Sequence, residues 1–232
     1  MPELEVPVSY EQWRTARVVI EYSAATAGAL SGCLHAIRRG FDPVGTFVIA
    51  IVSGLGGGMF RDVLLGDGPV LALQHPMLLV AALGACVFGV SLRTRARVMQ
   101  PVLWLVDALS IGLFTVAGIQ RGEEARLGAP SALFLGVLTG TGGGLIRDVL
   151  CHEVPRVLVP GVPYATASLL GGLVYFSSSR GLGLNRVLCE WLAILACFAL
   201  RAIGTRRRWI IPEANVVFRR RQRKGSERRS MD

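Results

Sequence analysis

The sequence predicts an all-α membrane protein with seven transmembrane helices, two inverted three-helix repeats followed by a seventh helix. Three observations carry that prediction. Of the 232 residues, 52% are hydrophobic and only 18% charged, and the mean hydropathy is +0.49, whereas soluble chains carry about 25% charge. Seven apolar runs approach the ~20 residues that one bilayer crossing needs. One uncommon motif, Gly56-Gly57-Gly58-Met59-Phe60-Arg61-Asp62-Val63-Leu64, returns as Gly142-Gly143-Gly144-Leu145-Ile146-Arg147-Asp148-Val149-Leu150, 86 positions later when measured from Gly56 to Gly142.

The spans, in order, are Val18 to Ile37, Val44 to Leu65, Met77 to Leu92, Val102 to Gln120, Ser131 to Cys151, Val162 to Ser177 and Val187 to Gly204. Short polar or turn-forming stretches separate them, such as Arg38 to Pro43 and Gly66-Asp67-Gly68, so neighbouring helices run antiparallel. The same offset pairs Ser53-Gly54 with Thr139-Gly140, Asp67 with Glu153, Pro69 with Pro155 and Glu21 with Asp107. The expected organisation is an extracytoplasmic segment 1–17, repeat one over 18–98, repeat two over 99–186, the seventh helix over 187–205 and an Arg-rich tail over 206–232. Three crossings per repeat is an odd number, so the second copy enters from the opposite side and the two are inverted. Such pairs place a permeation or substrate site between the halves near the midplane. The seventh helix has no counterpart and is expected outside the repeat pair.

The first 17 residues contain Glu3, Glu5 and Glu11 and lack the basic and then apolar order of a secretory signal. A cytoplasmic C-terminus gathers Arg38, Arg39, Arg93, Arg95, Arg97, Arg156 and the tail on one side, so the positive-inside rule sets the N-terminus outside. The net charge of +9 does not indicate nucleic acid, because eleven of the 25 basic residues lie from Arg201 onward. The tail run Arg219-Arg220-Arg221-Gln222-Arg223-Lys224 has no interleaved aromatic platform and suits contact with anionic lipid.

The chemistry concentrates in the motif. Three successive glycines in spans two and five lower helix stability by roughly 1 kcal/mol each against Ala, so both helices are expected to break at Gly56–Gly58 and Gly142–Gly144. Carbonyls freed there, with the hydroxyls of Ser53, Thr139 and Thr141, are candidate cation ligands. A hydroxyl bonded back to its own helix is the commoner arrangement for each. Close packing through the small-residue pattern at Gly54, Gly58, Gly140 and Gly144 is the competing reading. An ionisable group at membrane depth normally faces a partner or water, because its insertion costs roughly 2.5–3.5 kcal/mol. At 1.5 Å per residue Arg61 lies about 9 Å toward the outer face, at the depth of Glu21. Asp107 and Arg147 share an inner depth by the same reasoning. Glu21 with Arg61, and Asp107 with Arg147, are therefore the expected pairs. Asp62 and Asp148 are expected about 100° around each helix, as caps, intersubunit contacts or vestibule charges.

With its paired Gly-Gly-Gly-x-x-Arg-Asp-Val-Leu elements in a seven-span core from about Val18 to Gly204, the chain resembles the prokaryotic branch of the trimeric intracellular cation (TRIC) channel family. The same bacterial proteins are also known by a glycine-transporter-like domain. The resemblance implies a homotrimer with one pore per protomer, formed by spans one, two, four and five and passing K⁺ above Na⁺. It also implies that the second and fifth spans shape the constriction, and that the membrane is the bacterial inner membrane. A Lys-Glu-Val segment that binds phosphoinositide in animal members corresponds here to Arg61-Asp62-Val63.

No enzyme, metal centre or cofactor is expected beyond permeant K⁺ or Na⁺ and bound lipid. His35, His75 and His152 lack metal-ligand spacing, and the five cysteines form no C-x-x-C. Without a Thr-Val-Gly-Tyr-Gly filter, strong discrimination between K⁺ and Na⁺ is not expected. A carrier of a small neutral amino acid such as glycine is the alternative function, favoured by inverted repeats and half-helix dipoles. A non-transporting scaffold held by structural ion pairs is a third.

Overall fold

The computed structural model describes residues 8–66, 68–92, 100–209 and 211, with side chains from residue 15 in the first helix and from residue 104 in the fifth. Among these residues the secondary structure is helical throughout. The helices are α1 (Val8–Arg39), α2 (Pro43–Leu65), α3 (Leu71–Gln74), α4 (Pro76–Ser91), α5 (Gln100–Glu124), α6 (Ala129–Leu150), α7 (Ala165–Phe176) and α8 (Arg186–Arg206), with a π-helical turn over Ser177–Gly181 after α7.

Local chemistry sets several of these ends. Asp42 caps α2, accepting the Gly45 N–H at 2.6 Å, and Pro43 begins the helix, where its missing N–H costs nothing. Gly66 ends α2 in the left-handed conformation with φ +64°. Asn185 caps α8 through the Leu188 N–H at 2.8 Å.

Equivalent helices of the two repeats run antiparallel, as two inverted copies would. Ser31 meets Asp107 while Arg17 meets Glu124, which sets α1 against the direction of α5. A Cβ built on Gly57 would run into the Thr139 carbonyl oxygen, and one on Gly143 would lie 2.6 Å from the Ser53 carbonyl oxygen, so α2 and α6 also cross in opposite senses. The offset survives in the packing: a Cβ on Gly32 would lie 2.5 Å from the Ser53 Cβ, and one on Gly118 would lie 2.6 Å from the Thr139 hydroxyl.

The expected breaks at Gly56–Gly58 and Gly142–Gly144 are not present, since α2 and α6 each continue through their glycines as one α-helix. The crossing explains this. Without side chains the two helices approach until the backbone of one fills the space above the glycines of the other, and that contact offsets their poor helix propensity. Two further boundaries differ. Residues 8–17 begin α1 instead of forming a separate segment, and α3 is an extra turn inside repeat one. The Asp67 match, Arg93, Arg95, Arg97, the first seven residues and the Arg-rich tail beyond residue 211 lie outside the described residues.

The molecule is inside-out relative to a soluble protein. Its core is rich in Ala and Cys and encloses Arg61, Asp62, Asp107, Arg147, Asp148, Glu190 and Arg201, whereas Val44, Phe60, Val63, Met77, Val87 and Phe134 stand exposed. By length and composition α2, α6 and α8 can each cross a bilayer, and α4 is a shorter apolar helix. At 32 and 25 residues, α1 and α5 exceed the crossing length and carry the half-buried Glu21 and the buried Asp107. Five buried free cysteines complete the core.

Candidate functional site

The site grows from the last two turns of α2 and α6. Each carries Arg-Asp beyond its glycines, and the structure gives the two arginines equivalent acidic partners. Arg61, 1% exposed, donates through Nη1 to Glu21 at 3.0 Å and through Nε to Asp62 at 2.8 Å. Arg147, also 1% exposed, donates through Nη1 to Asp107 at 3.2 Å and through Nε and Nη2 to Asp148 at 3.0 and 2.8 Å. The structure thus brings each arginine to the acid of its own repeat and also to the aspartate that follows it.

The second contact joins neighbours in sequence. The 100° step between adjacent helical positions fixes only where the Cα–Cβ bonds point. A guanidinium carried on a long stem turns back and reaches its neighbour. The other carboxylate oxygen is occupied as well: Asp62 accepts the Leu71 N–H at 2.8 Å, and Asp148 accepts the Arg156 N–H at 3.1 Å. Each aspartate therefore ties its arginine to the loop that leaves the helix.

The Arg147 network extends further than the pairing rule suggests. Asp107 also receives the Ser31 hydroxyl at 3.2 Å and Arg201 Nη2 at 2.9 Å, with Arg156 Nη1 3.7 Å away. Arg201 counted with the basic tail in the sequence, and the seventh helix was expected outside the repeats. From the flank of repeat two α8 packs on α5 and α7, and its Arg201 reaches inward and is 4% exposed. No repeat partner marks this arginine, so the duplication gave no signal for it. Its place before the end of the last apolar run, within α8, is the signal present in the sequence.

The candidate hydroxyls are largely engaged. Thr139 donates to the Leu135 carbonyl at 2.6 Å and Thr141 to the Val137 carbonyl at 2.8 Å, and buried Ser53 packs at the α1 crossing beside Gly32. Gly56, Gly57, Gly142 and Gly143 lie at the α2/α6 crossing, while Gly58 faces Arg61 and Gly144 faces Tyr164.

Clefts lead to both networks. One of about 100 Å³ is lined by Asp62, Leu65, Pro69, Arg121, Glu124 and Ala125, and a small cavity of about 20 Å³ adjoins Glu21, Gly58 and Arg61. Another of about 160 Å³ is lined by Ser31, His35, Arg38, Trp104, Asp107, Arg147 and Arg156. Because Arg61 and Arg147 each follow the crossing by four residues on opposed helices, the networks lie on opposite sides of it, about 12–18 Å apart along the helix axes.

Side-chain ligand atoms of His35, Asp148 and Glu153 also lie within 4.8 Å of one another, a grouping that sequence spacing did not reveal. Their bonds fit an ion-pair network better than a metal centre. Asp148 is held by Arg147 and the Arg156 amide, and Glu153 by His35 at 3.0 Å and by Arg39.

Fold and site together define a polytopic α-helical membrane protein built by duplication, with a buried arginine network at the end of each duplicated central helix. The chain belongs to the family described as Glycine transporter, which matches residues 18–94 and 104–180 and comprises the prokaryotic TRIC proteins. It is 38% identical over 148 residues to the inner membrane protein YadS of Escherichia coli K12, covering 63% of this chain and 71% of that protein. Among solved structures it is similar to the TRIC trimeric intracellular cation channel orthologue from Rhodobacter sphaeroides, with TM-score 0.73 and 32% identity over 82% of this chain and 97% of that one. A prokaryotic TRIC channel crystallised in 0.5 M KCl gives TM-score 0.76 and 26% identity over 85% of this chain and all (100%) of that one.

Proposed function

We propose that the protein is a passive monovalent-cation channel of the bacterial inner membrane, a homotrimer with one path per protomer bordered by α1, α2, α5 and α6. In this reading the N-terminus is outside, the C-terminus is cytoplasmic, and the Arg-rich tail lies against anionic lipid. The kinship with TRIC cation channels supports the ion class. The observation that carries the reading is the charge balance around the buried arginines. Arg61 is met by two carboxylates, Glu21 and Asp62, so this buried trio has a surplus negative charge that favours cations, while Arg17 and Arg121 share Glu124 beside it. The two buried guanidiniums, Arg147 and Arg201, are matched by Asp107 and Asp148, and the further positive charge of Arg156 stands at the exposed rim.

Unbroken α2 and α6 bear on the mechanism. Their carbonyls remain in helical register and supply no ring of freed oxygens, so the proposed preference for K⁺ over Na⁺ is small and comes from field strength and not from a carbonyl filter. The glycine crossing is the narrowest stretch, and conduction requires it to shift or an ion to pass alongside it. The carrier reading, which the family's description favours, depended on half-helix ends gripping a carboxylate. Continuous helices offer none at this depth.

Planar-bilayer recording of the purified protein under asymmetric KCl tests the proposal. Discrete unitary currents reversing on the K⁺ side of zero are expected. Silent bilayers, with proteoliposomes of the same preparation showing saturable counterflow of labelled glycine, would replace the channel with a carrier.

A further inference from the structure

At the other end of α5 from Asp107, a second buried polar pair stands outside both arginine networks. Gln120 of α5 and Glu190 of α8 are 0% and 1% exposed. Gln120 Nε2 donates to Glu190 Oε1 at 2.5 Å. The remaining oxygen of each side chain, Gln120 Oε1 and Glu190 Oε2, is buried without a hydrogen-bond partner. Two buried acceptors left bare on side chains already in contact would cost roughly 1–3 kcal/mol each. Neither can supply the donor the other lacks while Glu190 is a carboxylate.

Compensation for a charge is thinner here than at Asp107, which three guanidiniums reach. On α8 itself, Arg186 Nε lies 3.7 Å from Glu190 Oε1, and Arg186 Nη2 donates to Glu123 of α5 at 2.7 Å. From α7, the Tyr175 hydroxyl also donates to Glu123, at 2.9 Å. The π-helical turn carries Arg180, whose guanidinium lies over the Phe176 ring. From α1, apolar Ile20 and Ala24 enter the same packed cluster, with Leu113, Val116 and Cys189.

We propose that Glu190 is a proton-binding site. One proton on Oε2 turns the carboxylate into an acid that donates to Gln120 Oε1 while Gln120 Nε2 continues to donate to Oε1. The acid and the amide then close a two-bond ring, and both bare oxygens are satisfied. Reversing the amide leads to the same requirement, because the 2.5 Å contact would then join two oxygens and need a proton from Glu190. The proton fastens α8 to α5, the helix that also presents Asp107 to Arg147 and Arg201. Ionisation at this position leaves Glu190 Oε2 and Gln120 Oε1 without a donor and loosens α8. Intramembrane carboxylates of this kind are working groups by default.

Infrared difference spectra of the full chain in lipid vesicles test the assignment. At neutral pH, wild type minus Glu190→Gln should show one carboxylic-acid carbonyl band per chain that shifts in D₂O and disappears at high pH. In Gln120→Leu the same band should move to higher frequency as the acid loses its acceptor, a readout that survives if Glu190→Gln fails to fold. Wild-type spectra with only carboxylate bands from Glu190, or an acid band unmoved by Gln120→Leu, would overturn the proposal. So would a spectrum that changes at fixed pH when K⁺ is replaced by a large organic cation, since a metal ion would then occupy the two oxygens.

Discussion

Asp107→Asn is expected to lower stability by about 3–5 kcal/mol, the usual cost of leaving a buried charge unpaired. One carboxylate here holds Ser31 of α1, Arg147 of α6 and Arg201 of α8, with Arg156 at the rim. Asparagine keeps the shape and one acceptor but removes the charge that two deeply buried guanidiniums share. Arg147 retains Asp148, whereas Arg201 keeps only the Pro163 carbonyl at 3.3 Å and the face of Tyr164. The five buried cysteines supply the assay: a thiol-reactive dye reports the midpoint of thermal unfolding in detergent. A fall of roughly 6–20 °C is expected for a chain of this size. The repeat counterpart, Glu21→Gln, should have a smaller effect, because Arg61 keeps Asp62 and Glu21 is nearer to solvent. Equal shifts in the two variants would contradict the assigned asymmetry.

The glycine crossing yields the second large effect. Gly57→Leu should prevent assembly of α2 on α6, and Gly57→Ala should already cost about 1–3 kcal/mol, because the added carbon meets a backbone carbonyl that cannot rotate away. Gly143→Ala should behave similarly against the Ser53 carbonyl, with 2.6 Å to the new atom. One position earlier the outcome reverses. A Cβ on Gly56 would sit 3.4 Å from Ile146 Cδ1, the end of a flexible side chain, and one on Gly142 would sit 3.4 Å from the Gly57 Cα. Gly56→Ala and Gly142→Ala should therefore be neutral or stabilising by up to about 1 kcal/mol through helix propensity. The dye midpoints rank all four alanine variants, and a loss at Gly56 as large as that at Gly57 would refute the close-approach explanation.

Much of this architecture is legible in the sequence because membrane helices announce themselves by composition and the duplication fixes the correspondence between halves. The span from Val44 to Leu65 differs from α2 by one residue, since Asp42-Pro43 and Gly66 are strong local signals. Glu21 and Asp107 were aligned with their arginines by depth alone, a quantity that helical rise determines well. What depth does not determine is azimuth and reach, so the bonds from Arg61 to Asp62 and from Arg147 to Asp148 follow from the bend of each guanidinium stem and not from depth. The glycine triplets were read through propensity, a local property, whereas the partner helix decides their state. Arg201 and Glu190 were missed for a related reason: α8 has no repeat partner, so no symmetry operation predicts its register against α5. The four-residue α3 is too short to carry a periodic pattern.

The most direct test of a cation path bordered by two compensated arginines is the K⁺-to-Cl⁻ permeability ratio of single channels, wild type against Glu21→Gln, measured from reversal potentials in one KCl gradient. Removing the surplus outer carboxylate leaves Arg61 balanced by Asp62 alone. Unitary K⁺ conductance should fall and the reversal potential should move toward that of Cl⁻. An unchanged reversal potential and conductance in a folded Glu21→Gln channel would mean that ions do not pass the Arg61 network, and would contradict the account.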